Sequence, residues 1–114
     1  MSDCIFCKII EGEIPSDTVY ETNTIKVFKD INPVAPVHLI IVPKVHIEDL
    51  NSLNETNAGV VVDCMLAAKK VAELSGISER GYRVISNCGE DGGQSVQHLH
   101  FHVIGGISMG DMIL

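Results

Sequence analysis

Three of the five histidines in this 114-residue chain stand at alternate positions, His98, His100 and His102 in "SVQHLHFHVIGG". Leu99, Phe101 and Val103 stand between and after them. On an extended strand, residues i, i+2 and i+4 share one face. The pattern therefore sets three imidazoles on one side and three apolar side chains in a core. Imidazole acts as nucleophile, acid, base or metal ligand near neutral pH, with an ordinary pKa of about 6.5. Successive rings on such a face lie roughly 6.5–7 Å apart along the strand. Bringing all three to one ion from a regular strand is awkward, so a separate task for each ring is the better reading. A solvated face and a plain metal-binding tract are the competing ones.

The stretch before them, "GEDGGQS", carries Gly89, Gly92 and Gly93. Glycines let a backbone approach a ligand closely, and N–H groups exposed in such a loop can cradle an anion. Alone this is an ordinary turn. Beside three aligned histidines it becomes a candidate phosphate site, with Asn87 before it and Ser95 after it.

Several elements must position these residues. "IFCKIIEG" reads as a short helix closed by Gly12. "TVYET" and "IKVFKD" alternate as two strands of a hairpin turning near Asn23. "NPVAP" is a turn, since two prolines in five residues cannot form a ladder. "VHLIIVP" is a strand central to the sheet. "SLNE" (Ser52 to Glu55) has capping-box spacing, predicting a helix from residue 55 to about Leu74 with Gly76 beyond its end. On that helix Val60, Val61, Cys64, Met65, Ala67, Ala68, Val71, Ala72 and Leu74 fill an arc of roughly 180°, where packing on one sheet needs about 100°. The excess predicts a second covered surface, most simply a partner subunit in a homodimer. "YRVISNC" and "HLHFHVIG" are the last two strands. The result is one α+β domain over residues 1–114, a five-stranded antiparallel sheet with one long and one short helix.

Composition narrows the function. The chain is 46% hydrophobic with a formal net charge of −7. It has only two arginines, Arg80 and Arg83, and its six lysines are scattered. A nucleic-acid polymer needs a basic patch, and none is visible. No apolar run approaches the ~18 residues of a membrane span. The acidic, mixed N-terminal segment lacks signal-peptide character, so a cytoplasmic location is expected. Disulfides are then not the default. Cys64 and Cys88 read as small buried apolar residues. Cys4 and Cys7 form a C-x-x-C pair, a spacing that fits ordinary buried cysteines as well as a metal site.

"HLHFHVI" matches the His-x-His-x-His signature of the histidine triad family. The extended "DGGQSVQHLHFHVIGG" resembles its Hint branch, the nucleoside phosphoramidases. "CIFCKIIEGEIP", "FKDINPVAPVHLIIVPKVHI" and "GYRVISNCG" follow the same branch in the same order. The resemblance implies the histidine triad fold as a homodimer, and a hydrolase cleaving the P–N bond of purine nucleoside 5′-phosphoramidates. In that reading His100 is the nucleophile, attacking the α-phosphorus to form a nucleotidyl-histidine that water releases as the nucleoside monophosphate. His102 contacts the phosphate and His38 helps orient His100. Asn87, Gln94, Ser95 and the Val96 N–H serve the phosphate and the leaving group. Asp30 holds the ribose hydroxyls, and Ile5, Phe6, Ile9, Phe28, Ile31 and Ile40 line an apolar slot for the purine. Zinc-containing bacterial members resemble this chain at Cys4, Cys7, His46 and His98, which implies one structural zinc per chain and no organic cofactor. The resemblance departs at the tail "MIL", since many members carry a Trp or a Pro-rich end there. A dinucleoside polyphosphate hydrolase of the same family, and a nucleotide-binding scaffold with little turnover, are the alternative functions.

Overall fold

The apolar run "VHLIIVP" lies at the middle of the molecule, as strand β3 (Val37–Pro43), buried at six of its seven positions. A computed structural model describes residues 3–111 and 113, so Met112 and Leu114 of the tail lie outside it. In chain order the elements are α1 (Ile5–Ile10), β1 (Thr18–Glu21), β2 (Ile25–Lys29), β3, a 3-10 turn (Leu50–Ser52), α2 (Gly59–Leu74), β4 (Tyr82–Ile85) and β5 (Phe101–Gly105). The five strands form one antiparallel sheet in the order β1-β2-β3-β5-β4.

The period-2 alternation divides the core by sheet face. Ile25, Val27, Leu39, Ile41, Leu99, Phe101 and Val103 belong to the cluster containing Cys64, Ala67, Ala68, Val71 and Ala72 of α2. Phe28, Ile40 and Val42 belong to the cluster containing Phe6 and Ile9 of α1. The two helices thus cover opposite faces, and the histidines share the α1 face. Alanines on the buried side of α2 let it approach the sheet closely. Burial pushes the Cys64 thiol up to about 12, which keeps it a neutral packing group. Cys88, expected inside, is half-buried.

The helix start differs from expectation. Glu55 does not complete a capping box, because the Ser52 hydroxyl is turned back to donate to Asp49 Oδ1 at 3.1 Å. Asn54 instead accepts from the Thr56 and Asn57 N–H groups at 2.8 and 3.0 Å. That turn delays the helix to Gly59.

The last strand also differs. The ladder between β3 and β5 runs only to Ile41 opposite Phe101. Two steps further in that register stands Pro43, which has no N–H to give. The Leu99 N–H bonds to the Ile47 carbonyl instead. His98 and His100 therefore lie just outside the regular strand, although the alternation of faces continues through them. Likewise, the ladder expected along "YRVISNC" ends at Ile85. Among the described residues no helix is long and apolar enough to cross a membrane.

Candidate functional site

Hydrogen bonds to the main chain decide which nitrogen of each imidazole carries its proton. The Val34 N–H donates to His38 Nδ1 at 3.1 Å, so the His38 proton sits on Nε2. That Nε2–H faces His102 Nδ1 at 2.9 Å and the Asp30 carboxylate at 3.3 Å. His102 therefore accepts on Nδ1 and keeps its own proton on Nε2. His100 is the reverse: its Nδ1–H donates to the His98 carbonyl at 2.7 Å, leaving a lone pair on Nε2. The two rings lie 5.1 Å apart, centroid to centroid. A lone pair on one nitrogen thus stands beside a proton donor on the neighbouring ring. Burial holds His100 below the usual imidazole range. Burial, with His100 and His38 adjacent, pushes His102 down to about 4. Both rings are neutral at pH 7.

His38 follows from the register. It faces Ile104 on β5 and Ile40 faces His102, so His38 and His102 are diagonal neighbours on one face. Among the described residues the His38 ring bonds to His102, and no hydrogen bond joins it to His100. Asp30 is held just past β2, where its N–H reaches the His38 carbonyl and its Oδ1 accepts from the Asn32 N–H at 2.7 Å. Asp30, His38 and His102 converge closely enough to suggest a metal site. A cation on His38 Nε2 would require a proton on Nδ1, where the Val34 N–H points, so this trio suits proton transfer and not metal binding.

The other cluster is the opposite case. The ligand atoms of Cys4, Cys7, His46 and His98 all lie within 4.8 Å of one another. His98 Nδ1 is 3.3 Å from Cys4 Sγ, 3.6 Å from Cys7 Sγ and 3.1 Å from His46 Nδ1. Tetrahedral zinc with sulfur and nitrogen ligands sets such edges at about 3.3–3.8 Å. His98 Nε2–H donates to the Pro43 carbonyl at 2.8 Å, which frees Nδ1 as a ligand and supplies the outer hydrogen bond that metal-bound imidazoles make. Burial lowers the pKa of His98, favouring the neutral form a ligand requires. The donor set fits zinc. Cys4 also starts α1, its sulfur accepting the Cys7 N–H.

Residues 3–112 match the family model described as scavenger mRNA decapping enzyme C-term binding. The purine nucleoside phosphoramidase of Escherichia coli K12 is 41% identical over 111 residues, 97% of this chain and 93% of the relative. The chain belongs to the histidine triad family. Protein HitA of Neisseria gonorrhoeae is 44% identical over 92% of this chain and 97% of its own length. Among solved structures, a family hydrolase from Clostridium thermocellum superposes with a TM-score of 0.98 at 52% identity, covering 100% of this chain and 99% of that one. A histidine triad protein from Clostridium difficile does so at 0.94 and 44%, covering 98% and 97%. The five-stranded antiparallel sheet with one long and one short helix is thus the histidine triad fold.

Within this histidine triad domain the remaining candidate residues divide. Phe6, Ile9, Phe28 and Ile40 are buried together, and Val96 packs on them. Ile31 does not join them and is 91% exposed, because Asp30 and Asn32 turn the chain outward there. Ile5 is exposed and, with Ser95 and Val96, lines a concavity of about 640 Å³ that also reaches Cys4, Cys7 and His46. Gln94 is buried and its amide is spent on the loop: Nε2 donates to the Glu48 and Val96 carbonyls and Oε1 accepts from the Gly89 N–H. In this arrangement it clamps Glu48, Gly89 and Val96 together. The loop glycines are not an open cradle, since the Gly93 and Gln94 N–H groups bond to Glu90 and Gly89. Asn87 holds the Gly92 carbonyl. The Ser95 hydroxyl and the Val96 N–H make no hydrogen bond among the described residues, so the donors left open lie at the end of the loop. Beside the Val34 N–H, two more contributors were missed from sequence. The Ser86 hydroxyl donates to the His100 carbonyl at 2.8 Å. The Pro43 carbonyl fixes His98. The polar Ser86 after an apolar strand was a signal of sorts; a main-chain carbonyl leaves none.

Proposed function

We propose that the protein is a hydrolase of purine nucleoside 5′-phosphoramidates, working through a covalent nucleotidyl-His100. The observation that carries this reading is the pair of opposite tautomers, a lone pair on His100 Nε2 beside a proton on His102 Nε2. His100 Nε2 forms a bond to the α-phosphorus, and the P–N bond to the leaving amine breaks. The amine takes a proton from a neutral donor at the site, with Ser95 beside it. Water then attacks phosphorus and returns a proton to that donor, the P–Nε2 bond breaks and the nucleoside monophosphate leaves. Splitting one displacement into two lowers each barrier. The His102 Nε2–H and the Val96 N–H stabilise charge on the phosphoryl oxygens. Asp30 keeps the His38 proton in place and offers its carboxylate to the ribose.

The rest of the reading completes the assembly. Cys4, Cys7, His46 and His98 hold one zinc, which ties the start of α1 to the segments after β3 and before β5. α2 leaves Val62, Met65, Leu66 and Leu74 exposed, an apolar stripe suited to the two-fold interface of a homodimer. The location proposed is the cytoplasm. Similarity to the Escherichia coli phosphoramidase supports the substrate class, and a net charge of −7 disfavours a long polyphosphate.

Steady-state kinetics with an adenosine phosphoramidate against a diadenosine polyphosphate tests the proposal. The phosphoramidate is expected to have the higher kcat/KM. Equal or reversed values would assign the site to dinucleoside polyphosphates, and AMP binding with neither hydrolysed would make it a binding protein.

A further inference from the structure

We propose that the Cys4–Cys7–His46–His98 cluster positions the nucleophile, because His98 serves both sites with different atoms. This rests on the reading of His100 as nucleophile. The His98 ring turns Nδ1 to the two thiols and His46, and its Nε2–H is taken by Pro43. Its main-chain carbonyl accepts the His100 Nδ1–H at 2.7 Å, the bond that leaves the His100 lone pair on Nε2. That carbonyl must therefore stay in place.

The sheet does not hold it there. β5 begins at Phe101, and the backbone of residues 98–100 lies beyond the ladder. Three other contacts replace it: the Leu99 N–H on Ile47, the Ser86 hydroxyl on the His100 carbonyl, and the His98 ring. Of these, only the ring belongs to the four-ligand cluster. Phe6, between Cys4 and Cys7 in the chain, adds a second link. It sits edge-on to the His98 ring at 6.0 Å and to the His100 ring at 5.0 Å. Closing the four ligands on a cation fixes the start of α1, the Phe6 edge and the His98 backbone together. The effect falls on the orientation of His100. The contacts proposed for Asp30 and the Ser95 hydroxyl use none of the four ligands, whereas Val96 packs on the same apolar cluster as Phe6.

The full-length protein is compared zinc-loaded, after chelation, and as His46→Ala. His46 is exposed and makes no hydrogen bond or ring contact with His100, so this variant opens the cluster at its rim. Two readouts are taken: kinetics with an adenosine phosphoramidate, and ¹⁵N NMR of the histidine rings. Loss of metal is expected to lower kcat about 10–100-fold, as loss of an outer-shell partner does, with a smaller rise in KM through Phe6 and Val96. The slowly exchanging Nδ1–H signal of His100 should vanish at the same time. Unchanged kcat and an unchanged His100 signal in folded metal-free protein would overturn the proposal, as would a cluster that takes up no zinc. Should chelation unfold the chain, His46→Ala and Phe6→Leu decide, the latter keeping all four ligands; an intact His100 Nδ1–H signal in both overturns it. If the zinc-loaded protein leaves the phosphoramidate uncleaved, the functional reading fails, and the ring signals alone still judge the positioning.

Discussion

His100 and His102 are two residues apart, equally neutral at pH 7, and opposite in the nitrogen that carries the proton. One is set by a main-chain carbonyl, the other by a chain that begins at the Val34 N–H. Replacing His100 by Ala removes the only nitrogen lone pair proposed to meet phosphorus. Turnover should fall by roughly 10³-fold or more while the fold stays intact, since nucleophile deletions are among the costliest substitutions in an enzyme. Activity within a few-fold of wild type in single-turnover assays would refute its role. The pH dependence follows from burial. His102 titrates at about 4 in the folded state against about 6.5 unfolded, so below pH 6.5 the unfolded chain binds more protons. The stability it contributes is complete above about pH 6.5 and is lost as pH falls towards 4, on the order of 3 kcal/mol. His98 and His100 shift the same way. Thermal midpoints measured from pH 7 to pH 4 should decline across that window. The acid limb of kcat/KM should also fall below the usual imidazole value, because His100 stays neutral there.

At the scale of elements, the loop between β4 and β5 does most of the positioning. Gly92 is required by space: a Cβ there would stand 2.4 Å from the Cys88 carbonyl oxygen, which is backbone and cannot give way. Gly92→Ala should distort the loop and lower activity without touching any proposed catalytic group. Gln94 ties Glu48, Gly89 and Val96 together, and Gln94→Ala leaves those groups unpaired. A loss of about 1–3 kcal/mol in denaturant unfolding is expected, since unsatisfied partners cost that much. A raised KM is expected as well, through displaced Ser95 and Val96 donors. A stability change within error would mean that water replaces the amide there. The proposed zinc site at Cys4, Cys7, His46 and His98 acts on the same scale. Protein purified without chelator should contain near one zinc per chain, and its removal should lower the melting temperature by freeing α1.

For the whole molecule, the question is what covers the outer side of α2. Five of its residues are buried on the sheet, while Val62 and Leu66, one helical turn apart, are 59% and 62% exposed. Val84 on the edge strand β4 is exposed too. In sedimentation the protein should run at twice the 12.4 kDa of one chain. Leu66→Glu places a charge in the proposed interface and should yield the monomer. A wild-type protein that sediments as a single chain at micromolar concentration would leave the stripe without the proposed partner.

Much of this molecule is legible in its sequence, because strand and helix periods are local properties of the chain. The alternation in "HLHFHV" assigns histidines and core residues to opposite faces whether or not a ladder forms, and it holds even at His98 and His100. The resemblance likewise identifies Cys4, Cys7, His46 and His98 before any geometry is known. What remains depends on groups that carry no side-chain signature. Pro43 stands opposite Leu99, beyond the end of the ladder, and its carbonyl then fixes the His98 ring. The Val34 N–H sets the His38 tautomer, and through it the proton on His102. That the Gln94 amide clamps the carbonyls of Glu48 and Val96 is likewise invisible before the chain folds. Asn54 overrides the capping spacing of Ser52 and Glu55 since Asp49 reaches Ser52 first. Main-chain donors and acceptors are alike at every position, so only the tertiary fold decides which of them meets an imidazole, and that meeting leaves the lone pair on His100 Nε2 and the proton on His102 Nε2.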